Sequence, residues 1–151
     1  MKSFLISLLP LFLISLPVVS VICKPLNVYL GTGGRGSEGI YRTTFNPENG
    51  KFSGVKLAAE IGSPGFLALH PDDNKIYAVA RWENEAGTVG YSVLPNGELK
   101  EFTRMACPDG GGAHIAIHPS GKFLITAQYG GGSVAMFPID KDGHLQKPTV
   151  I

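Results

Sequence analysis

From residue 24 onward, short runs of apolar, β-branched and aromatic residues alternate with turn residues such as glycine, proline, asparagine and aspartate. Runs of about four to eight residues with these boundaries are typical of β-strands. Apolar residues rarely recur at the three- and four-residue spacing that favours a helix. The pattern therefore predicts an all-β protein, with antiparallel strands because the connections are too short for parallel crossovers.

The predicted strands fall into three groups. The first contains residues 27–31 and 39–45, and then the hairpin turn 46–50, which ends in the turn signal Asn-Gly. The second contains residues 65–70, 75–81, 88–94 and 98–104, with turns at 70–74, 83–87 and 95–97. The third contains residues 113–118, 122–129, 133–139 and 144–149, with turns at 118–121, 130–132 and 140–143.

The groups are copies of one another. Residues 66–80 align with residues 114–127 once one gap is allowed, and His70 and His118 lie 48 positions apart. Further pairs in this alignment are Lys75 with Lys122, Val89 with Val134, Leu99 with Leu145, Ile40 with Val89, and Gly50 with Gly97. A four-stranded unit that recurs roughly every 47 residues is typical of a β-propeller blade. The first copy lacks its innermost strand.

Three blades cannot close a propeller, which has about four to eight of them. We therefore expect residues 24–151 to be the N-terminal part of a larger propeller domain. If so, this part expressed alone should be poorly stable or should self-associate.

Charge and cysteine content exclude several classes of protein. The chain has 13 Lys and Arg against 12 Asp and Glu, and this balance gives no electrostatic basis for binding nucleic acid or an anionic membrane. Phosphate binding by one or two placed arginines remains open. Cys23 and Cys107 do not have the spacing of a metal site, and we expect neither a disulfide framework nor a metal or other cofactor.

Residues 1–23 have the three parts of a secretory signal peptide. Lys2 supplies the positive charge, residues 4–16 the apolar core, and residues 17–20 a plausible approach to a cleavage site. Cleavage predicts an exported, periplasmic or extracellular protein that keeps no stable membrane span. The alternative is that residues 4–22 remain as a membrane anchor, although Pro10 and Pro17 interrupt such a helix.

The glycine-rich segment 31–39 matches the dinucleotide fingerprint through Gly31, Gly33 and Gly36. That fingerprint requires a helix after the loop, so that the helix N-terminus meets the pyrophosphate. The residues that follow, 39–45, are β-branched and aromatic, so the match predicts a turn and not a nucleotide site.

The duplication separates blade residues from candidate site residues. His70 and His118 occur in both copies, each before a proline, and we interpret them as turn residues that hydrogen-bond Asp72 or Ser120. His114 has Phe66 as its counterpart, follows a glycine run and begins an innermost strand at the mouth of the central channel. Imidazole at such a place could act as a general acid or base, or could simply pack between blades.

Three further residues are candidates for substrate binding. Arg81 ends the second strand of its blade, where the third blade has Gln128 and then Tyr129. A guanidinium can hold a carboxylate or phosphate in a bidentate manner, although Arg81, Trp82 and Glu83 could instead form a surface ion pair with a stacked indole. Tyr129 could offer its hydroxyl to a sugar or merely cover the blade edge. We find no nucleophile elbow, phosphate loop or metal-ligand spacing.

The ordered set of these motifs resembles the β-propeller lactonases, the 6-phosphogluconolactonase and cycloisomerase 2 group. The most specific residues are Gly112-Ala-His-Ile-Ala-Ile-His-Pro-Ser-Gly-Lys-Phe123 followed by Tyr129-Gly-Gly-Gly-Ser-Val-Ala-Met-Phe137. Val28-Tyr-Leu-Gly-Thr32 and Pro64-Gly-Phe-Leu-Ala-Leu-His-Pro71 add to them, and the resemblance extends over residues 26–151.

The resemblance implies a seven-bladed propeller, of which this chain would hold about three blades. It also implies metal-free hydrolysis of 6-phosphoglucono-1,5-lactone or another sugar lactone, with His114 as a proposed catalytic residue and with partner arginine and glutamate residues in later blades. The expected ligand is a small lactone or sugar acid, and export favours an unphosphorylated one. The alternatives are a cycloisomerase-like lactonising enzyme or an exported propeller that binds ligands without chemistry.

Overall fold

The computed structural model describes residues 23–34 and 36–151. Within them, eleven strands form three antiparallel sheets, which we call blades 1, 2 and 3. Blade 1 contains β1 (Leu26–Leu30), β2 (Gly39–Asn46) and β3 (Lys51–Glu60). Blade 2 contains β4 (Leu67–Leu69), β5 (Lys75–Trp82), β6 (Glu85–Val93) and β7 (Leu99–Ala106). Blade 3 contains β8 (His114–Ile117), β9 (Phe123–Gln128), β10 (Ser133–Pro138) and β11 (Thr149–Val150).

The predicted architecture is confirmed: blades 2 and 3 have four strands each in sequential order, and blade 1 has three. The glycine-rich segment after β1 leads directly into β2, and this confirms the prediction of a turn there. The predicted export segment falls outside the described residues apart from Cys23, which is exposed. Across the described part of the chain, no helix has the length and apolarity needed to cross a bilayer.

Two predicted boundaries were wrong. The turn placed at residues 83–87 has only two residues, Glu83 and Asn84, because β6 already begins at Glu85 and pairs with Trp82. The strand placed at residues 144–149 is interrupted. Leu145 makes an isolated bridge with Ile139, and regular pairing returns only at β11, after Pro148, which has no amide hydrogen to donate.

The alignment between blades 2 and 3 also needs correction. His70 N donates to Lys75 O, and His118 N donates to Phe123 O, so Lys75 corresponds to Phe123 and not to Lys122. The turns have equal length and need no gap. Beyond them, Ala80 pairs with Gly87 while Gln128 pairs with Ser133, so Val89 corresponds to Ala135 and not to Val134. By the same pairing logic in blade 1, the counterpart of Ile40 is Thr88 and not Val89.

Two apolar cores lie between neighbouring blades. The first joins Ile40 of blade 1 to one face of blade 2, which contributes Ile76, Ala78, Ala80, Val89 and Tyr91. The second joins the other face of blade 2 to blade 3, through Tyr77, Val79, Leu124, Ala135 and Phe137. Successive residues of β5 therefore alternate between the two cores, as the two-residue period of a strand requires.

The remaining face of blade 3 has no neighbour among the described residues. Apolar side chains on it or beside it are exposed: Phe123, Ile125, Tyr129, Val134 and Ile151. Blade 3 thus buries only the face toward blade 2, whereas blade 2 buries both of its faces. The strands β4 and β8 contact each other and form the inner edge of the assembly, while β3 and β7 meet farther out.

The His-Pro turns have the predicted structural role. His70 Nδ1 lies 2.9 Å from Asp72 Oδ1, and His118 Nδ1 lies 2.8 Å from Ser120 Oγ. His70 also joins two blades, because its Nε2 lies 3.1 Å from Gly121 O in the turn of blade 3. Each turn is therefore ordered by its own histidine, and the first turn is bound to the second.

Candidate active site

His114 is the first residue of β8, at the inner edge of blade 3. Its side chain is exposed, and its ring centroid lies 5.2 Å from that of Phe66, at an interplanar angle of 57°. Phe66 occupies the same repeat position in blade 2, directly before β4. Within the described residues, no hydrogen bond engages the imidazole. The ring packs against this aromatic neighbour, and the residue remains exposed to solvent.

Tyr129 lies on the same side of blade 3 as His114. His114 pairs with Ala127, whose side chain lies on the open face, and Tyr129 follows two positions later, directly after the end of β9. The Tyr129 side chain is 91% exposed. A ligand at the inner edge could therefore reach both the imidazole and the phenol.

Gln128 points the opposite way. It is 2% exposed, it faces blade 2, and its Nε2 lies 2.6 Å from Thr126 Oγ1. Its Oε1 has no partner within the described residues. A contact between Gln128 and substrate is therefore not supported by its position, which is inside the interface between blades.

Arg81 is exposed and lines a cleft of about 450 Å³ at the end of blade 2. The other lining residues come from the β5–β6 hairpin and from the connection to blade 3: Glu83, Asn84, Glu85, Ala86, Ala106, Cys107, Pro108 and Gly110. The backbone of Arg81 is fixed, because its amide donates to Gly62 O at 2.7 Å. In the corrected alignment its counterpart is Tyr129, so both blades place a polar side chain at this point.

Residues 107–113 connect the Arg81 cleft to His114. The Cys107 amide donates to Ala86 O at one end, and the Ala113 amide donates to Ala127 O at the other. A Cβ built on Gly111 would lie 3.6 Å from an Arg81 guanidinium nitrogen, so the guanidinium rests on this segment. A Cβ on Gly112 would lie 2.7 Å from Val79 Cγ1. The glycines therefore let the segment pass close to blade 2 and deliver His114 to the inner edge.

The proposed stacking of Arg81 on Trp82 is not what the structure shows. The cation over the indole is Arg104, whose Cζ lies 5.2 Å from the ring centroid, and Trp82 Nε1 donates to Glu85 Oε2 at 2.9 Å. Arg104 also donates two hydrogen bonds of 2.6 Å to Glu101, and these raise the pKa of its guanidinium. Among the described residues, no carboxylate lies within ion-pair distance of Arg81.

Sequence reasoning missed the acidic lining of the cleft, Glu83 and Glu85, and the buried thiol of Cys107 beside Arg81. It also missed Asp109, which packs against the glycine turn of blade 3 at Gly131. An ungapped alignment of the two copies would have given one signal, since it places Arg81 and Tyr129 at one position.

Comparisons with known proteins agree with this architecture. Residues 27–151 match the family model described as "Lactonase, 7-bladed beta-propeller". The chain is 32% identical over 123 residues to a 6-phosphogluconolactonase of Bacillus subtilis, an alignment that covers 80% of this chain. It is 28% identical over 101 residues, 65% of this chain, to a 6-phosphogluconolactonase of Xenorhabdus nematophila.

A solved structure gives the same result for the fold. The periplasmic gluconolactonase of Pseudomonas aeruginosa superposes with a TM-score of 0.77 at 24% identity, over 85% of this chain and 39% of that one. The alignments cover 35% of the Bacillus protein and 30% of the Xenorhabdus protein, so this chain spans about a third of the length of its relatives. With the repeat, the three blades and the family match all in agreement, the chain belongs to the seven-bladed β-propeller lactonase family.

Proposed function

We propose that the protein hydrolyses a sugar lactone to the corresponding aldonic acid, with His114 as general acid and base. The observation that carries this proposal is the position of His114 within a lactonase-family chain. His114 is an exposed imidazole at the inner edge, and the equivalent position of blade 2 has Phe66, so the blade itself does not need a histidine there. Tyr129, on the same face, is the proposed contact for a sugar hydroxyl.

The chemistry needs one proton acceptor and one donor. His114 takes a proton from water as the water oxygen bonds to the lactone carbonyl carbon. The ring ester bond then breaks, and the imidazolium returns the proton to the departing ring oxygen, which becomes a hydroxyl group. A positioned imidazole contributes about 10²- to 10⁴-fold to such a step.

The charges of the Arg81 cleft favour an unphosphorylated substrate. Arg81 is accompanied by Glu83 and Glu85, so the cleft carries more negative than positive side chains. A phosphate dianion would meet repulsion from both glutamates, whereas the hydroxyl groups of a neutral sugar lactone can donate to them. Export, as predicted from residues 1–23, agrees with this choice, because phosphorylated sugars belong to the interior of the cell.

The test is hydrolysis of glucono-1,5-lactone and of its 6-phosphate by the protein that carries this sequence. We expect His114→Ala to lower kcat/KM by about 10²- to 10⁴-fold and His118→Ala to leave it nearly unchanged. His118 is the matched control, because it directly follows the strand that begins with His114 and its ring bonds only Ser120 in its own turn.

Two results would count against the proposal. Equal rates for His114→Ala and the unaltered protein would remove the catalytic assignment. Binding of lactones or sugar acids without hydrolysis by the unaltered protein would favour the non-catalytic binding propeller. A preference for the phosphorylated lactone would contradict the argument from the cleft charges and leave the lactonase assignment intact.

A further inference from the structure

A cleft of about 200 Å³ lies between blades 2 and 3, at the opposite end of the blades from His114. His114 begins β8, whereas the cleft lies beside the His-Pro turn that follows the end of β8. Its walls come from the His-Pro turns of both blades, from the first residue of β5 and from the turn after β10. The lysine and aspartate side chains that line it are Lys75, Lys122, Lys141, Asp72 and Asp140.

The first of these lysines has no charged counterpart in blade 1. Strand β1 corresponds to β5, because Tyr29 and Tyr77 each donate to a glycine in a turn of the next blade. Two positions before these tyrosines, β5 has Lys75 and β1 has Asn27. The fold of a blade therefore does not require a lysine at this place.

The other two lysines differ from their counterparts in blade 2. Lys122 directly precedes β9, and the residue that directly precedes β5 is Asn74. The turns after β6 and β10 close with the same two backbone hydrogen bonds, and their second residues are Pro95 and Lys141. All three lysines thus belong to this one junction and not to the repeat, so they need a separate explanation.

The two carboxylates of the cleft are engaged by their own turns. Asp72 accepts hydrogen bonds from Lys75 and from a backbone amide of its turn. Asp140 Oδ1 accepts from the amides of His144 and Asp142, at 2.8 and 3.0 Å. Three lysines against two aspartates therefore leave the cleft with an excess of positive charge.

The lysines come from three elements and are available to a ligand. The Lys75 side chain lies across the turn after β10, since a Cβ on Gly143 would be 2.8 Å from its Cδ and Cε atoms. Lys122 is exposed, and no carboxylate of the described residues lies within ion-pair distance of it. Lys141 pairs with Asp142, but both side chains are exposed, and a pair of this kind contributes little.

We propose that this cleft binds a phosphoryl group, either as the free phosphate ion or as the monoester of a small molecule. A phosphoryl group carries about two negative charges at neutral pH and presents three outer oxygens, so it can accept from three ammonium groups at once. A single carboxylate has one charge and two oxygens in a plane, and it matches three ammonium groups less well. Because Lys75 belongs to blade 2 and the other two lysines belong to blade 3, the bound group would bridge the two blades.

Calorimetric titration with sodium phosphate tests this proposal independently of any lactonase activity. The titration uses the protein that carries this sequence, at neutral pH and at low ionic strength, where salt screens the lysines least. We expect saturable binding of phosphate at one site, and binding of acetate about tenfold weaker because acetate has a single charge. A titration with glycerol phosphate identifies the source of the group: binding at least as tight as that of phosphate indicates a monoester, and weaker binding indicates the free ion.

The matched variants are Lys122→Gln and Lys147→Gln, which remove the same charge. Both side chains are exposed, but only Lys122 lines the cleft. Lys122→Gln should weaken phosphate binding about fivefold, as expected for the loss of one ion pair open to solvent, and Lys147→Gln should leave it nearly unchanged. Asp140→Asn should tighten binding, because it removes a negative charge and keeps Oδ1 as the acceptor for its turn.

The proposal is overturned if phosphate does not bind saturably or if acetate binds as tightly. It is also overturned if Lys122→Gln binds phosphate as the unaltered protein does, because the ion would then lie elsewhere, for example in the Arg81 cleft. Equal losses from Lys122→Gln and Lys147→Gln, or weaker binding by Asp140→Asn, would contradict a specific site between these lysines.

Discussion

At both junctions between blades, the connecting segment passes close to a strand of the preceding blade. The small residue that permits this contact lies on the strand at one junction and on the segment at the other. Where blade 2 begins, the connecting segment passes over Gly31 at the end of β1, and a Cβ there would lie 2.1 Å from Pro64 O. Where blade 3 begins, the equivalent place on β5 is held by Val79, and the segment above it has Gly112 in place of Pro64. The fold therefore requires one glycine at this contact, and the glycine can lie either on the strand or on the connecting segment.

At the opposite end of the blades, the two junctions are alike. Tyr29 Oη donates to Gly97 O at 2.8 Å, and Tyr77 Oη donates to Gly143 O at 2.5 Å. Both acceptors are turn glycines with left-handed backbone, at φ of 80° and 97°. In each case, a tyrosine on β1 or on its counterpart β5 donates to a turn of the next blade. This hydrogen bond occurs at the same repeat positions in both junctions, whereas the glycine of the close contact lies on the strand in one junction and on the connecting segment in the other.

The largest effect is expected from Gly31→Ala. The added methyl group would meet a backbone oxygen, which cannot turn away as a side chain can, so the strand or the segment must move. We expect a loss of about 3 kcal/mol in the free energy of unfolding, at the upper end of the usual cost of overpacking. Urea unfolding followed by circular dichroism measures it.

The control for that variant is Gly112→Ala at the second junction. Here the methyl group would meet the side chain of Val79, so we expect a smaller loss of about 2 kcal/mol. Adding Val79→Ala should recover part of it, which gives a coupling energy in a double-mutant cycle. Strictly additive losses would contradict the view that these two residues share one space.

A smaller effect is expected when the tyrosine hydroxyl groups are removed. Tyr77→Phe leaves a buried carbonyl of Gly143 without its donor and should cost about 1–2 kcal/mol. Tyr29 is only half-buried, so water can replace its hydroxyl, and Tyr29→Phe should cost about 0.5 kcal/mol. Equal losses measured by thermal or urea unfolding would show that burial does not distinguish the junctions.

The smallest effect concerns the two His-Pro turns, which differ in having Asp72 or Ser120. Burial alone raises the pKa of Asp72, but hydrogen bonds from Lys75, the Asn74 amide and His70 outweigh it and hold the pKa below its usual range. A lowered carboxylate pKa stabilises the fold above the unfolded value of about 3.9, and this stabilisation is lost as the pH falls through the folded pKa.

Asp72→Ser should therefore give blade 2 the turn of blade 3 and reduce the acid sensitivity of unfolding below about pH 4. At neutral pH the cost should be about 0.5 kcal/mol, because the ion pair with Lys75 is partly exposed. The measurement is the urea midpoint as a function of pH. An unchanged profile would mean that other carboxylates, such as Asp140, carry the acid dependence.

Strand number, blade count and the role of the His-Pro turns could be predicted because they depend on turn residues and on local repetition. The register could not. Residues 76–80 are buried on both faces, so their apolar residues show no alternation that would distinguish the two faces. Matching Lys75 to Lys122 by identity shifted the alignment by one residue, and a shift of one moves every side chain to the opposite face.

The same shift explains why Gln128 was included among the candidate site residues. In the gapped alignment Gln128 stood opposite Arg81 and was expected to face a ligand, whereas its true counterpart is Ala80, on the buried face. The stack on Trp82 was missed for another reason. Arg104 lies on β7, two strands away, and only sheet pairing brings it to the indole. His114 could be singled out because the copy has a different residue there, and this contrast does not depend on the faces.

The position of Trp82 has an optical consequence. It is the only tryptophan in the sequence, and it sits in the hairpin whose next residues line the Arg81 cleft. The Arg104 guanidinium lies over its ring, and the Glu85 carboxylate accepts a hydrogen bond from its indole nitrogen. The energy of its excited state therefore depends on two nearby charges of opposite sign. Any solute that draws Glu85 into the cleft would disturb that balance. The fluorescence emission of Trp82 should thus report ligand binding in the Arg81 cleft without an added label, and it should not report binding elsewhere.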